Sequence, residues 1–540
     1  MVLKFMSKKF IVLFFCGLLI CSMQASAACT AIYVGSDVSA DGSTIFARSN
    51  DNQGVKANQI TVTPRVENES GRTMPVSIDG SVKTEIPATT YKYTATPYMN
   101  STRTSNDLLQ DAAVCSNEYG VSMSMSVTAF PNKAALEADP LVKNGICEDA
   151  ATDLVICQSK SAREGVEVLL GIIDKYGSSE SNIAFIADQK EIWYVEMYTG
   201  HQYVAVKLPS DKVSVFGNEY SLEYLSDYED NITSKDLFSL AEQKGFAVHG
   251  KNNEINLLDT YSGNETITNY SHMRTWIGHQ ILSPSKFSAD YNPNTTYPLC
   301  FEPDKKVSAE DVCQLMRNRY EGTKYSPDET GRKDMRVIGS DTTMSAHVVQ
   351  IFSNLPAEMA CINWISSGPP VYGVFIPVSN DCINISDAYG ADQPAGDGNK
   401  FDTDKYAYYL FKDICTRCVG PDNYKSYGKP VQEYWKNAES NMFDGMSQVI
   451  ANAAKMNDSA SRAKYITSYC NDMQNKVFED GKLILNNLTW SQGDNSNTFK
   501  IERNPETHQM TGKEVTIPTM ELKLDASVFE LPQLIEVEDS

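Results

Sequence analysis

The sequence predicts an α+β protein whose sheets are largely antiparallel. Two observations carry this prediction. Short segments of alternating apolar and polar residues, separated by brief polar turns, occupy residues 30–66 and 182–216. Between them lie two longer segments, at residues 148–176, with apolar residues at helical spacing. An order of strands, then helices, then strands is typical of antiparallel sheets with segregated helices.

The first 28 residues form a predicted signal peptide. Three lysines within residues 4–9 precede a short apolar run at residues 10–21, and small residues follow up to Ala28. The run is shorter than a typical membrane span, and no later segment of spanning length follows. We therefore expect export to the periplasm or the cell exterior, without a stable membrane span. The small residues permit cleavage before Cys29 or before Ala28.

The first predicted element after the leader is a β-hairpin over residues 30–49, with Asp41-Gly42 in its turn. Residues 59–66 continue in strands, residues 67–110 are polar and predicted irregular, and residues 118–128 alternate again. Helices are predicted over residues 148–159 and 162–176, the second ending at Gly177. A meander of four short strands follows over residues 182–216.

The second half of the chain is predicted to contain further short elements before a largely helical region. Residues 347–355 are predicted helical, and residues 361–366 and 371–378 are predicted strands. Helices dominate residues 400–487, and the last fifty residues are predicted to be extended. We divide the chain into a catalytic domain at residues 29–400 and a C-terminal region at residues 401–540, packed on that domain.

Composition excludes several classes of function. The chain has 540 residues, 41% hydrophobic and 21% charged, which is typical of a globular protein. A net charge of −22 disfavours binding to nucleic acid or anionic membranes. No nucleotide-binding glycine loop and no His-Glu-x-x-His motif occurs, so we expect neither a cofactor nor a metal ion. The sequence does not predict the oligomeric state.

The cysteine count suggests disulfides in an exported protein. Thirteen cysteines are present, and Cys16 and Cys21 leave with the leader, so the mature chain keeps an odd number. Up to five bridges with one free thiol would satisfy this count, and Cys29 is the natural free residue. Cys415 and Cys418 have the spacing of a redox or zinc pair, but only one such pair and six histidines are present, which favours a local disulfide or a loop shared by two bridges over a metal site.

Cys29 can supply a nucleophile and a base from one residue once it becomes N-terminal. The reference pKa values of an α-amine and a thiol are about 8 and about 8.5, so both groups work near neutral pH. The amine can take the thiol proton directly or through a water. The predicted hairpin returns Arg48 and Asp51 alongside Cys29. A guanidinium there would favour the thiolate, and a carboxylate would hold the amine.

Four blocks in the same order resemble the dipeptidase A family of cysteine peptidases, which belongs to the N-terminal-nucleophile hydrolases. The first block contains Cys29-Thr30, the turn SADGST and the pair Arg48-Ser-Asn-Asp51. The other blocks lie at residues 191–218, 271–278 and 347–378. The resemblance covers most of residues 29–380 and becomes less clear after residue 400.

The resemblance implies a fold, an activity and roles for five residues. The fold would be a four-layer αββα sandwich, with a partly helical C-terminal extension in this chain. The activity would be hydrolysis of dipeptides through an acyl-enzyme on Cys29, without a cofactor. Arg48 and Asp51 would tune and orient the nucleophile, Asn218 would help bind the oxyanion, and Arg274 would lie at the pocket edge. A second oxyanion donor is possible near residues 126–128, and His201 is interpreted as structural.

Two alternatives remain open from the sequence. An amidase of the same fold could act on bile-salt or penicillin-type amides. A lipoprotein could carry an acylated Cys29 and a binding module, although Ser26 is a poor match to the residue that lipoprotein processing prefers. Acylation would consume both the thiol and the amine, so this reading excludes the peptidase.

Overall fold

The computed structural model describes residues 29–51, 57–98, 112–125, 127–263, 270–332, 334–390 and 402–493. The predicted signal peptide, Ser126 and residues 494–540 of the predicted extended tail lie outside the described residues.

The described strands are β1 Ala31–Val34, β2 Thr44–Asp51, β3 Thr61–Thr63, β4 Val66–Glu67, β5 Thr73–Pro75, β6 Lys83–Glu85, β7 Thr89–Thr90, β8 Tyr93–Pro97, β9 Ala112–Asn117, β10 Ser122–Met125, β11 Asn182–Ala187, β12 Ile192–Met197, β13 Tyr203–Lys207, β14 Val213–Phe216, β15 Asn231–Thr233, β16 Thr343–Ile351, β17 Cys361–Ser367 and β18 Ile376–Ser379.

The described α-helices are α1 Lys133–Ala138, α2 Glu148–Ile156, α3 Ala162–Tyr176, α4 Leu237–Lys244, α5 Leu257–Tyr261, α6 His272–Leu282, α7 Ala309–Leu315, α8 Pro327–Thr330, α9 Asp387–Gly390, α10 Ala407–Cys418, α11 Pro421–Asn423, α12 Lys429–Ala453 and α13 Ser459–Gly493.

Two antiparallel sheets organise the molecule, so the predicted α+β class is confirmed. One sheet has the strand order β14-β1-β2-β16-β17-β18, and the other has the order β15-β13-β12-β11-β10-β9-β8-β3. Side chains of both sheets, such as Tyr33, Phe46, Phe185 and Tyr194, share one hydrophobic cluster. The two sheets therefore pack against each other face to face.

Helices cover the outer face of each sheet. Residues of α2 and α3 pack with Met123, Ile186 and Trp193 of the eight-stranded sheet. Residues of α6, α7, α10, α12 and α13 join the cluster on the outer face of the six-stranded sheet, which contains Ile32 and Trp364. Because both faces are covered, nearly every residue of the central strands is buried, and their sequences lose the alternation of a half-exposed strand.

Several predicted elements are confirmed. The β1–β2 hairpin pairs Ala31 with Arg48 and encloses Asp41-Gly42. Helix α3 spans residues 162–176 as predicted, because the Ser161 side chain accepts from the Glu164 N–H at its start and Gly177 follows its end. The predicted helices of residues 400–487 correspond to α10, α12 and α13.

Three structural predictions were wrong. Residues 347–355 were predicted helical, yet most of them belong to β16, a fully buried strand between β2 and β17. A strand covered on both faces reads as a continuous apolar run, which the sequence pattern does not separate from a buried helix. Residues 67–110 were predicted irregular but contain the short strands β5 to β8. The fourth strand of the predicted meander, β14, leaves β13 and pairs with β1 in the other sheet.

The predicted disulfides are also contradicted. All eleven cysteines from Cys29 onward are free, and ten of them are buried. Cys415 and Cys418 lie three residues apart on α10 without a bridge. Buried free cysteine packs as a small apolar side chain, and this accounts for the count without any pairing.

Candidate functional site

Cys29 lies two residues before the start of β1, in the space between the two sheets. The period of two along a strand places Cys29, Ala31 and Tyr33 on the face that meets the eight-stranded sheet. The hairpin register aligns Ala31 with Arg48, so the Arg48 side chain reaches the same face. Arg48 Nη1 lies 3.2 Å from Cys29 Sγ. The contact expected from the hairpin is thus present.

The nitrogen of Cys29 is held by Asn218. Because β14 pairs with β1, the residues that follow β14 lie beside those that precede β1. The Cys29 N–H donates to Asn218 Oδ1 at 3.0 Å. The structure is of the uncut chain, so this nitrogen is a peptide N–H and stands in for the amine that cleavage before Cys29 would free. Asn218 Nδ2 donates to the Thr128 carbonyl at 2.8 Å.

Arg274 was expected at the edge of a pocket, but it lies against the backbone of Cys29. It is completely buried near the start of α6. Its Nη1 donates to the Cys29 carbonyl and, at 2.9 Å, to Thr30 Oγ1, and its Nη2 donates to Asn218 Oδ1 at 2.7 Å. A Cβ on Gly217 would lie 3.1 Å from the Arg274 guanidinium carbon, so the absence of a side chain there permits this close approach.

Asp51 is fully buried at the end of β2 and is fixed by several groups. Its Oδ2 lies 3.0 Å from Arg336 Nη2, and it accepts from the hydroxyls of Ser49 and Thr343. In the uncut chain, Asn218 and not Asp51 accepts the hydrogen bond from the Cys29 nitrogen. The backbone amide of Asp51 does act on the thiol and lowers its pKa. The structure therefore brings all five predicted site residues into one cluster.

Burial and charge compete at the Cys29 thiol. Burial raises its pKa above the ordinary value and is the largest influence. The Arg48 guanidinium opposes this, while the negative charges of Asp51 and Glu148 add to it. Arg48 contacts the Cys29 thiol, Arg274 contacts the Cys29 carbonyl, and Arg336 pairs with the buried Asp51 carboxylate. Positive charge beside the thiol favours a thiolate and an anionic intermediate over their neutral forms, against the effect of burial.

Sequence reasoning missed three members of this cluster, namely Ser124, His347 and Arg336. Arg48 Nε lies 3.2 Å from Ser124 Oγ, and Ser124 Oγ lies 2.8 Å from His347 Nε2. Burial and the charge of Arg48 lower the pKa of His347 well below its ordinary value, so this histidine is neutral. Arg336, the third, follows α8 in an irregular segment. No local pattern could have found these residues, because strand pairing and loop packing bring them to the site.

His201 is bound to Asp139, as a structural role requires. Its Nδ1 lies 3.0 Å from Asp139 Oδ1, and its backbone N–H donates to Asp139 Oδ2 at 2.6 Å. These contacts agree with the interpretation of His201 as a structural residue in a turn. Within the ranges given above, no group of three or more His, Cys, Asp or Glu side chains is arranged to hold a metal ion. Among the same residues, no helix is long and apolar enough to cross a membrane.

Comparisons with known proteins assign the chain to a family. The model of peptidase family C69 matches residues 28–437. The chain belongs to peptidase family C69. This confirms the resemblance to the dipeptidase A type of cysteine peptidase that the Cys29-Thr30 block suggested.

Three curated relatives show the extent of the similarity. "Probable dipeptidase B" of Streptococcus pyogenes serotype M1 is 32% identical over 387 residues, which are 68% of this chain and 75% of the relative. "Probable dipeptidase" of Salmonella dublin is 32% identical over 357 residues, covering 65% of this chain and 80% of the relative. "Probable dipeptidase" of Latilactobacillus sakei is 29% identical over 384 residues, covering 67% and 76%.

Proposed function

We propose that the chain is an exported cysteine dipeptidase whose nucleophile is Cys29, freed as the N-terminal residue by removal of residues 1–28. The observation that carries this proposal is that the sulfur and the nitrogen of Cys29 each contact a separate side chain. Its sulfur lies against Arg48 and its nitrogen against Asn218, so the two reacting groups of one residue are both oriented. The family match begins at residue 28, immediately before this cysteine. The names of the relatives support dipeptides as substrates.

The proposed reaction has two stages. The α-amine takes the thiol proton, and the Cys29 sulfur attacks the peptide carbonyl carbon to form a tetrahedral intermediate. The C–N bond then breaks, the leaving amine takes the proton, and an acyl-enzyme thioester remains on Cys29. Water, deprotonated by the α-amine of Cys29, hydrolyses the thioester and restores the thiol. Positive charge from Arg48 supports the thiolate, and Asn218 orients the amine that moves the proton.

The packing of helices outside and sheets inside supports a four-layer αββα sandwich of the N-terminal-nucleophile type as the fold of this enzyme. In that arrangement the residues before β1 lie between the sheets, which is where Cys29 is found. Export through the predicted leader would deliver the enzyme to the periplasm or the cell exterior and would also create the catalytic amine. In this proposal, maturation and activation are one step.

Mass analysis of the mature N-terminus, combined with activity of Cys29 variants, tests the proposal. We expect a chain that begins at Cys29 with a free amine, no hydrolysis by Cys29→Ala, and at most a trace by Cys29→Ser, since a hydroxyl is less acidic. Fully active protein that retains Ala28, or an acylated Cys29, would contradict the mechanism. The acylated form would establish the lipoprotein alternative.

A substrate panel tests the choice of dipeptides. We expect dipeptides to be cut much faster than tetrapeptides with the same first residues, and activity to survive a strong chelator but not a thiol reagent. Cleavage of a conjugated bile salt or a penicillin, without cleavage of dipeptides, would assign the same site to the amidase alternative.

A further inference from the structure

Arg336 joins the candidate catalytic cluster to an open cleft. Its Nη2 lies 3.0 Å from Asp51 Oδ2, inside the cluster, where Asp51 is completely buried. Its Nη1 donates to the Tyr270 hydroxyl at 2.7 Å on the exposed side. The guanidinium therefore has one edge on the Asp51 carboxylate and the other edge toward the cleft.

The cleft beside Arg336 is large enough for an amino-acid residue. Its volume is about 580 Å³, within the range of small-molecule sites. Tyr270, Arg336 and Thr342 form part of its wall, and Val419 and Pro421 contribute from the helical C-terminal region. The cleft thus lies where the loop before α6, the segment before β16 and the end of α10 meet.

The charge of Arg336 suits an anionic ligand. Burial works against the charged form, but Asp51 and Tyr270 outweigh it and raise the pKa of Arg336, so the side chain is a permanent cation. Cys29 is also close enough to contribute to this shift. On its cleft side, Arg336 meets the Tyr270 hydroxyl. A carboxylate is a stronger partner for a guanidinium than a phenol is, because both groups are charged.

We propose that Arg336 binds the terminal carboxylate of the dipeptide and that the adjoining cleft receives its C-terminal residue. This inference rests on the proposed dipeptidase function. In a dipeptide the carboxylate is one residue from the bond that is cut, so a cation held beside Asp51 and close to Cys29 is placed to recognise it. A longer peptide carries an uncharged amide at this position and would lose the contact. Arg336 would therefore be a specificity-determining residue that favours dipeptides over longer chains.

A comparison of one dipeptide with its C-terminal amide, using the mature full-length enzyme, tests the inference. We expect the parent enzyme to show a kcat/KM at least about tenfold higher for the free acid, since a charged hydrogen bond contributes at this scale. Arg336→Gln should lose most of this preference, and Arg336→Lys, which keeps a charge without the planar fork, should retain part of it. Arg163→Gln, an exposed α3 arginine paired with Asp230, is the control and should keep the preference.

The outcomes separate the possible roles of Arg336. If Arg336 only holds Asp51, Arg336→Gln will lower kcat/KM equally for acid and amide, and the inference is overturned. Equal rates for acid and amide in the parent enzyme overturn it without any variant, which also covers the case in which Arg336→Gln does not fold. A mature parent enzyme that cuts neither substrate would instead remove the proposed function itself.

Discussion

At the scale of single residues, the site balances the burial of a thiol against the charge of an arginine. Cys29 is only 1% exposed, and burial alone makes its thiolate unfavourable. The nearby Arg48 works in the opposite direction and favours the thiolate. The charge of Asp51 adds to the effect of burial, and its carboxylate is bound by Arg336 and Thr343.

Removal of Arg48 should shift the reactivity of Cys29 to higher pH. Because the guanidinium lowers the thiol pKa, we expect Arg48→Gln to raise that pKa and to reduce dipeptide turnover strongly. The rate of iodoacetamide labelling at Cys29, followed by mass analysis between pH 6 and pH 10, measures the shift. Arg65→Gln, an exposed arginine paired with Glu118, is the control. An unchanged labelling profile would show that Arg48 does not act on the thiol.

A second single residue, Glu219, should make stability depend on pH. Burial raises its pKa from 4.5 to about 7, with Thr275 and Arg274 acting in the opposite direction. The folded state thus prefers the protonated acid, so stability is full below about pH 4.5 and is lost as the pH rises toward 7. At pH 8, Glu219→Gln should be more stable than the parent by about 2–3 kcal/mol, with little difference at pH 4.5.

Urea denaturation of the mature parent and of Glu219→Gln at both pH values measures this effect. Glu167→Gln, on the exposed side of α3, serves as a control for the loss of one negative charge, since its side chain is 61% exposed. A difference between Glu219→Gln and the parent that is the same at both pH values would show that Glu219 is not a protonated buried acid.

At the scale of elements, α6 is held against β14 by a contact that only glycine permits. A Cβ on Gly278 would overlap the Val215 side chain of β14. The same helix carries Arg274 near its start, and β14 leads to Asn218. The spacing between this helix and this strand therefore sets the distance between the two side chains that hold Cys29.

Gly278→Ala should push α6 away from β14 and loosen the site. We expect a loss of about 1–3 kcal/mol in the free energy of unfolding, which is typical of an overpacked core. Dipeptide turnover should also fall at temperatures where the variant is still folded. Gly171→Ala is a matched control on α3, because a Cβ there meets nothing within 4 Å.

The control should change the stability in the opposite direction. An alanine in a helix interior is more favourable than glycine by roughly 0.5–1 kcal/mol, so Gly171→Ala should stabilise the protein and leave turnover unchanged. Denaturation curves and kcat/KM of both variants give the comparison. Full activity in Gly278→Ala would mean that the position of α6 is not critical for the site.

At the scale of the whole molecule, the helical C-terminal region shares one core with the six-stranded sheet. Residues of α10, α12 and α13 pack in the same cluster as Ile32 and Trp364. The sulfurs of Cys382, after β18, and Cys470, on α13, interact inside this core. Cysteine thus serves this interface as a buried apolar residue.

Thiol counting should find the cysteines of the mature chain free. We expect about eleven reactive thiols in denaturant without reductant, because the structure holds all eleven unpaired. A count of about nine would indicate oxidation of the adjacent pair Cys382 and Cys470. A single reactive thiol would instead support the five bridges expected from the odd cysteine count, and would contradict the arrangement in the structure.

The sequence by itself determined the features that depend on neighbours along the chain. The β1–β2 hairpin, α3 with its Ser161 cap and the approach of Arg48 to Cys29 follow from turn residues, spacing and strand pairing, and all are present. The family was also readable from the order of four blocks. These features need only local geometry or similarity, both of which a single chain displays.

Only the tertiary structure decided the features that depend on partners far along the chain. β16 is a strand because β2 and β17 bond to both its edges, and β14 changes sheets because β1 offers it an edge. Arg336 reaches Asp51 across 285 positions of sequence. Burial on both faces removes the periodicity that distinguishes strand from helix, and long-range pairing leaves no mark in the local pattern. For those physical reasons, the sequence could name five site residues but could not show how they are held together.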